Sequence, residues 1–123
     1  MVLNKIATAT VTFFVLAFNV QANENSSLLF SGNCVTCHFE TKTVSAPSVV
    51  DFKQQYMMAF PVKEDFIEYM SIWVENPKEE SSLMLDSVKK HGLMPKLGFD
   101  KETLRAIATY IYETDFTKKH AGH

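Results

Sequence analysis

The chain has two cysteines, and both fall in the run Cys34-Val35-Thr36-Cys37-His38. C-x-x-C-H is the attachment pattern for c-type haem. The two thiols can add to the two vinyl groups of one porphyrin as thioethers. The imidazole that follows is then held beneath the ring, where it can bind iron. A chain with this motif must fold around a flat apolar group fixed to its own backbone. The motif uses every thiol, so no other disulfide can form. A C-x-x-C pair can also be a thioredoxin-like redox centre. Against that stand the His that follows, the lack of a β-α-β pattern, and a second iron-ligand candidate further on.

The ends narrow the setting. Met1 to Lys5 make a short start with one positive charge, and Ile6 to Phe18 are apolar or Thr. Val20-Gln21-Ala22 is a small-residue cleavage site, so residues 1–22 read as a secretory signal peptide. The alternative is an uncleaved anchor, but the apolar stretch is shorter than the roughly 20 residues a spanning helix needs. Export from the cytoplasm is expected, with no stable membrane insertion after cleavage. Residues 23–123 then form one domain. Cleavage removes Lys5 and no carboxylate, leaving 11 basic and 14 acidic residues and a net charge of −3. Neither a basic face for nucleic acid nor a basic amphipathic helix is present.

The apolar spacing is helical throughout, and the expected class is all-α, with four or five helices. Asn25 and Ser26 can cap a short helix through Leu29 and Phe30 that delivers Cys34. Pro47 opens a segment with Val49, Val50, Phe52, Tyr56 and Met57 at helical spacing, which Pro61 closes. Phe66, Ile67, Met70, Trp73 and Val74 mark a second amphipathic helix. Asn76 and Pro77 suit the cap and first turn of a third, running to Lys89-Lys90-His91 before Gly92. Leu93 to Phe99 reads as loop. Asp100 caps the last helix, whose stripe is Leu104, Ile107, Ala108 and Ile111. The tail from Thr117 is expected to fray.

Within this frame His38 is the expected proximal ligand. A ligating His donates its other ring nitrogen to a neighbouring acceptor, and the Pro47 carbonyl, nine residues on, is the candidate. Met94, in a loop and followed by Pro95, is the expected sixth ligand, because a loop can carry a thioether over the open face of the ring. Met57, Met58, Met70 and Met84 sit in helical patterns and read as core or surface. His91 is the rival ligand, or else a cation at a helix C-terminus. His120 and His123 are weaker candidates. Trp73 is expected in the core, with a propionate bond as the alternative. Lys42, Lys53, Lys96 and Lys101 read as solvated, and Lys96 is placed to join a docking rim.

On these residues the chain resembles class I monohaem cytochromes c of the small bacterial kind. Cys34-Val35-Thr36-Cys37-His38 matches their haem motif, and Leu29-Phe30 the aromatic position of the first helix. Ala46-Pro47 matches the proline after the motif, Met94-Pro95 the ligand loop, and Tyr110 the aromatic of the last helix. Ser26 stands where that family often has Gly, and Lys78 to Gly92 is longer and more charged than in compact members. The resemblance implies the cytochrome c fold around one covalently bound haem c, attached through Cys34 and Cys37. Iron is then ligated by His38 and Met94. It implies a periplasmic, monomeric one-electron carrier, not an enzyme, with redox proteins as donor and acceptor. The alternatives are a haem c subunit or sensor module of a larger redox complex, and a haem peroxidase.

Overall fold

The computed structural model describes residues 24–118. The expected signal peptide, the tail histidines His120 and His123, and Met1 lie outside them. Every regular element among the described residues is helical. In chain order these are α1 (24–33), α2 (Val49–Ala59), α3 (Lys63–Glu75), a 3-10 turn at Glu79–Ser81, α4 (Leu85–His91) and α5 (Lys101–Glu113). The all-α expectation holds. No helix among the described residues is long and apolar enough to cross a membrane.

Short polar side chains set two of the helix starts. Ser48 precedes α2, and its hydroxyl accepts from Asp51 N at 3.1 Å. Thr43 braces that cap: its Oγ1 accepts from Ser48 N at 3.0 Å and donates to Asp51 Oδ2 at 2.9 Å. Asp100 caps α5 by accepting from Thr103 N at 2.9 Å. Each bond satisfies an N–H that the first helical turn leaves without a partner. Phe60 N donates to Tyr56 O at 2.7 Å and ends α2. Pro61 follows with no N–H to continue it.

The centre of the core is α3 against α5. Phe66, Ile67 and Met70 on α3, and Leu104, Ile107, Ala108 and Ile111 on α5, are all buried. Charges flank the seam: Arg105 pairs with Glu68 and Glu64, Lys101 with Glu68, and Lys63 with Glu113. Half-exposed pairs of this kind contribute at most about 1 kcal/mol each, so the apolar stripe does most of the holding. α1 joins chiefly through Phe30, with Leu29 also packed against the core. Phe30 is 1% exposed, and its ring meets those of Tyr110 and Phe116 at a tilt, each centroid 5.3 Å away.

Several expectations fail here. Asn25 and Ser26, expected as caps, lie within α1. Residues 77–91 are not one helix, and Asn76 is not an N-cap. Asn76 closes α3, donating its backbone N–H to Ile72 O. A continuous helix would take the Lys78 carbonyl for Ser82 N, but Trp73 Nε1 donates to that carbonyl at 3.0 Å. Ser82 N turns to Glu79 O instead, and Ser82 Oγ accepts from Met84 N at 3.0 Å. Serine side chains that bond nearby backbone compete with the helix ladder, so α4 starts only at Leu85. Lys53 is not a solvated charge. Its ammonium donates to Tyr112 O at 3.0 Å and Thr114 O at 2.6 Å, and it lies 5.8 Å from the centre of the Phe116 ring. It ties α2 to the end of α5, where helix carbonyls attract a cation. Lys101 is likewise engaged, through its pair with Glu68.

Candidate functional site

The Cys-x-x-Cys-His run is a tight turn on the end of α1. Cys34 N donates to Phe30 O, and His38 N to Cys34 O, each at 2.9 Å. Buried Phe30 therefore anchors the turn from one residue-turn upstream. The two cysteines are free, not joined to each other. Burial pushes the Cys34 thiol up to about 11. An attacking thiol of the thioredoxin kind is shifted the other way, so Cys34 is not placed to be one.

The chain then loops back to deliver Pro47. Val49 N bonds Phe39 O at 2.9 Å and Val50 N bonds Glu40 O at 3.0 Å, which closes the loop onto itself. His38 Nδ1 lies 2.7 Å from Pro47 O. A carbonyl only accepts, so Nδ1 carries the proton and Nε2 keeps its lone pair in the neutral ring. Burial lowers the His38 pKa against the opposing pull of the Pro47 bond. The ring is thus neutral at neutral pH, the form that ligates metal. Phe52 meets it edge-on at 5.1 Å and helps fix its plane.

A cavity of about 320 Å³ opens beside this turn, at the lower end of the roughly 300–1,000 Å³ of cofactor pockets. Cys34, Cys37, His38, Pro47 and Met94 all line it. Much of the remaining wall is apolar: Val74 from α3, Leu104, Ile107 and Ile111 from α5, and Leu93 and Leu97 from the late loop. Tyr56 lines it too, and burial raises its hydroxyl to about 12, so it stays protonated. Trp73 is at the wall, with its single N–H taken by Lys78 O. No group of three or more His, Cys, Asp or Glu among the described residues could hold a metal ion without help.

Sequence reasoning missed one donor. Met84 was expected inside a helix, but it stands just before α4 with non-helical backbone (φ −127°, ψ 60°) and lines the same cavity. The signal was Ser81-Ser82, which break the helix directly upstream. His91 also lines the cavity, as does Met70, though Met70 is packed into the α3–α5 core. Met57 packs against the core and Met58 is exposed; neither reaches the cavity. A shallower polar groove of about 330 Å³ lies next to it, between Asp51, Gln54 and Gln55 of α2 and Asp86, Ser87 and Lys90 of α4.

The donor set fits a c-type haem. Two unpaired thiols and an oriented imidazole share a mostly apolar cavity with thioether sulfurs. Comparison of the chain with family models, with curated proteins and with solved structures gives no match.

Proposed function

We propose that this chain is an exported, periplasmic one-electron carrier with a single c-type haem bound covalently through Cys34 and Cys37. One observation carries the reading. His38, its Nδ1 held by Pro47 at 2.7 Å, shares a mostly apolar cavity with both free cysteines and with Met94. When bound, the haem supplies a ferric–ferrous couple. The chain's own residues supply the rest. Cys34 and Cys37 fix the porphyrin to the end of α1. Pro47 holds the imidazole in one tautomer and one orientation. Met94 would hold the iron through its thioether, which would raise the potential relative to a second nitrogen ligand. Leu104, Ile107 and Ile111 keep water from the ring. No acid, base or nucleophile is required. Redox proteins serve as donor and acceptor.

His91 in the cavity wall is the observation that favours a second reading, a haem subunit, sensor or peroxidase whose distal side is a nitrogen ligand or is open. A spectroelectrochemical titration separates the two, because axial ligands move haem potentials over about 0.8 V. The carrier reading expects a high potential, a weak red-end thioether band in the oxidised state, and no rapid binding of carbon monoxide when reduced. A low potential with no thioether band, or rapid carbon monoxide binding, contradicts it.

A further inference from the structure

A run of hydrogen bonds leads away from His38 and ends on a carboxylate. His38 Nδ1 lies 2.7 Å from Pro47 O. The peptide that carries this carbonyl has its N–H on Ser48. That N–H donates to Thr43 Oγ1 at 3.0 Å, and Thr43 Oγ1 donates to Asp51 Oδ2 at 2.9 Å. Elementary chemistry fixes every direction. A carbonyl only accepts, an amide N–H only donates and an ionised carboxylate only accepts, so the Thr43 hydroxyl points its proton at Asp51. Imidazole, peptide, hydroxyl and carboxylate thus stand head to tail in one chain. Its inner links are shielded, since Ser48 is 1% exposed, while Thr43 and Asp51 at the far end meet water. Asp51 enters no ion pair among the described residues. The cap bond of α2 does not use its carboxylate either, because Ser48 Oγ takes the Asp51 N–H.

We propose that Thr43 and Asp51 are positioning residues that tune His38 through the Pro47–Ser48 peptide and make its imidazole a stronger iron ligand. The proposal rests on the reading of the cavity as a haem site. Each bond in a head-to-tail chain polarises the next, by about 10–30%. The Asp51 carboxylate makes Thr43 Oγ1 a better acceptor. A more tightly held Ser48 N–H leaves more negative charge on Pro47 O. That oxygen then draws harder on the Nδ1 proton, and Nε2 becomes more basic. An acceptor behind a ligating imidazole fixes its tautomer and raises its basicity, and here a carboxylate acts at two removes, through a hydroxyl and a peptide. A more basic ligand favours ferric over ferrous iron, so the chain lowers the potential. Water screens the Asp51 end, which keeps the effect modest.

The test uses the haem-loaded, exported protein and two readouts, the reduction potential and the His38 Nδ1–H proton resonance of the reduced form. Thr43→Val removes the hydroxyl without changing charge. It is expected to move the ferric–ferrous equilibrium about threefold toward ferrous iron, or about 28 mV for one electron, and to move the Nδ1–H resonance upfield. Thr43→Ser keeps the hydroxyl and leaves both readouts at their wild-type values. Asp51→Asn removes a charge, which also raises the potential through space, so a double-mutant cycle separates the two effects. Its shift is expected to be smaller in the Thr43→Val background, where the chain is already cut. Should Thr43→Val fail to load haem, Asp51→Asn alone decides: an upfield Nδ1–H resonance supports the chain, and an unmoved one overturns it. Unmoved readouts in Thr43→Val, equal movement in Thr43→Ser, or full additivity in the cycle overturns the chain and leaves the haem reading intact. Wild-type protein that carries no haem overturns both.

Discussion

Phe30→Ala removes the one residue of α1 that is fully buried. The ring packs at 5.3 Å on Tyr110 and at 5.3 Å on Phe116. Truncating a buried Phe to Ala costs about 3–5 kcal/mol, made up of lost transfer energy and a cavity that neighbours refill only in part. Aromatic pairing adds about 0.5–1.5 kcal/mol beyond area. Domains of this size are stable by about 5–15 kcal/mol in all. The variant therefore loses a third or more of a typical value, and its Tm falls by at least about 12 °C. Urea denaturation of the haem-loaded protein, followed by far-ultraviolet circular dichroism, measures the change. A double-mutant cycle with Phe116→Ala should show strong coupling, because both rings border the same gap. Cys34 N bonds Phe30 O, so a loosened α1 also lowers the share of protein that leaves the cell with haem attached. A loss under about 1 kcal/mol, with additive cycles, refutes the account of α1 as pinned by this ring.

Further outcomes follow from the same geometry. Glu68 has its pKa lowered, first by its bond to Lys101 and then by Arg105. Its contribution is present above the ordinary carboxylate value of 4.5 and is lost as pH falls through the lower folded value. Glu68→Gln should flatten the acid limb of a stability–pH curve below about pH 4.5, and an unchanged slope would count against the pair. Ser48→Ala removes the α2 cap and should cost about 1 kcal/mol in urea melts. It also loosens the Pro47 carbonyl beside it, read as a broadened His38 ring resonance. A cost near zero would show that Thr43 braces the turn alone. Among the cavity donors, Met94→Ala should abolish the oxidised thioether band, while Met84→Ala and His91→Ala keep it. Loss of the band in Met84→Ala alone would move the sixth ligand to α4's start.

Much of this was legible because local chemistry decided it. The Asp100 cap, the α5 stripe and the Pro47 carbonyl nine residues from His38 each follow from short-range rules. The structure places all five expected site residues at one cavity. What the sequence hid was decided at long range. Lys53 meets Tyr112 and Thr114 some 60 positions away, and no pattern near Lys53 announces it. Phe116 is buried, 3% exposed, beyond the last helix and next to a polar tail; its partner is Phe30, at the other end of the domain. The helix expected from Pro77 is interrupted at Ser82, whose N–H turns to Glu79 O and whose Oγ accepts from Met84 N, while Trp73 Nε1 donates to the Lys78 carbonyl. That break freed Met84 from its expected place and turned it into a cavity donor.

The central claim is that Cys34 and Cys37 hold a haem covalently. Intact mass of the denatured protein, purified from a host that attaches c-type haem, tests it directly. The account predicts a chain cleaved after Ala22 that is heavier by one haem, with the extra mass abolished in Cys34→Ser/Cys37→Ser. A mass equal to the polypeptide alone, or haem that is lost on denaturation, contradicts it.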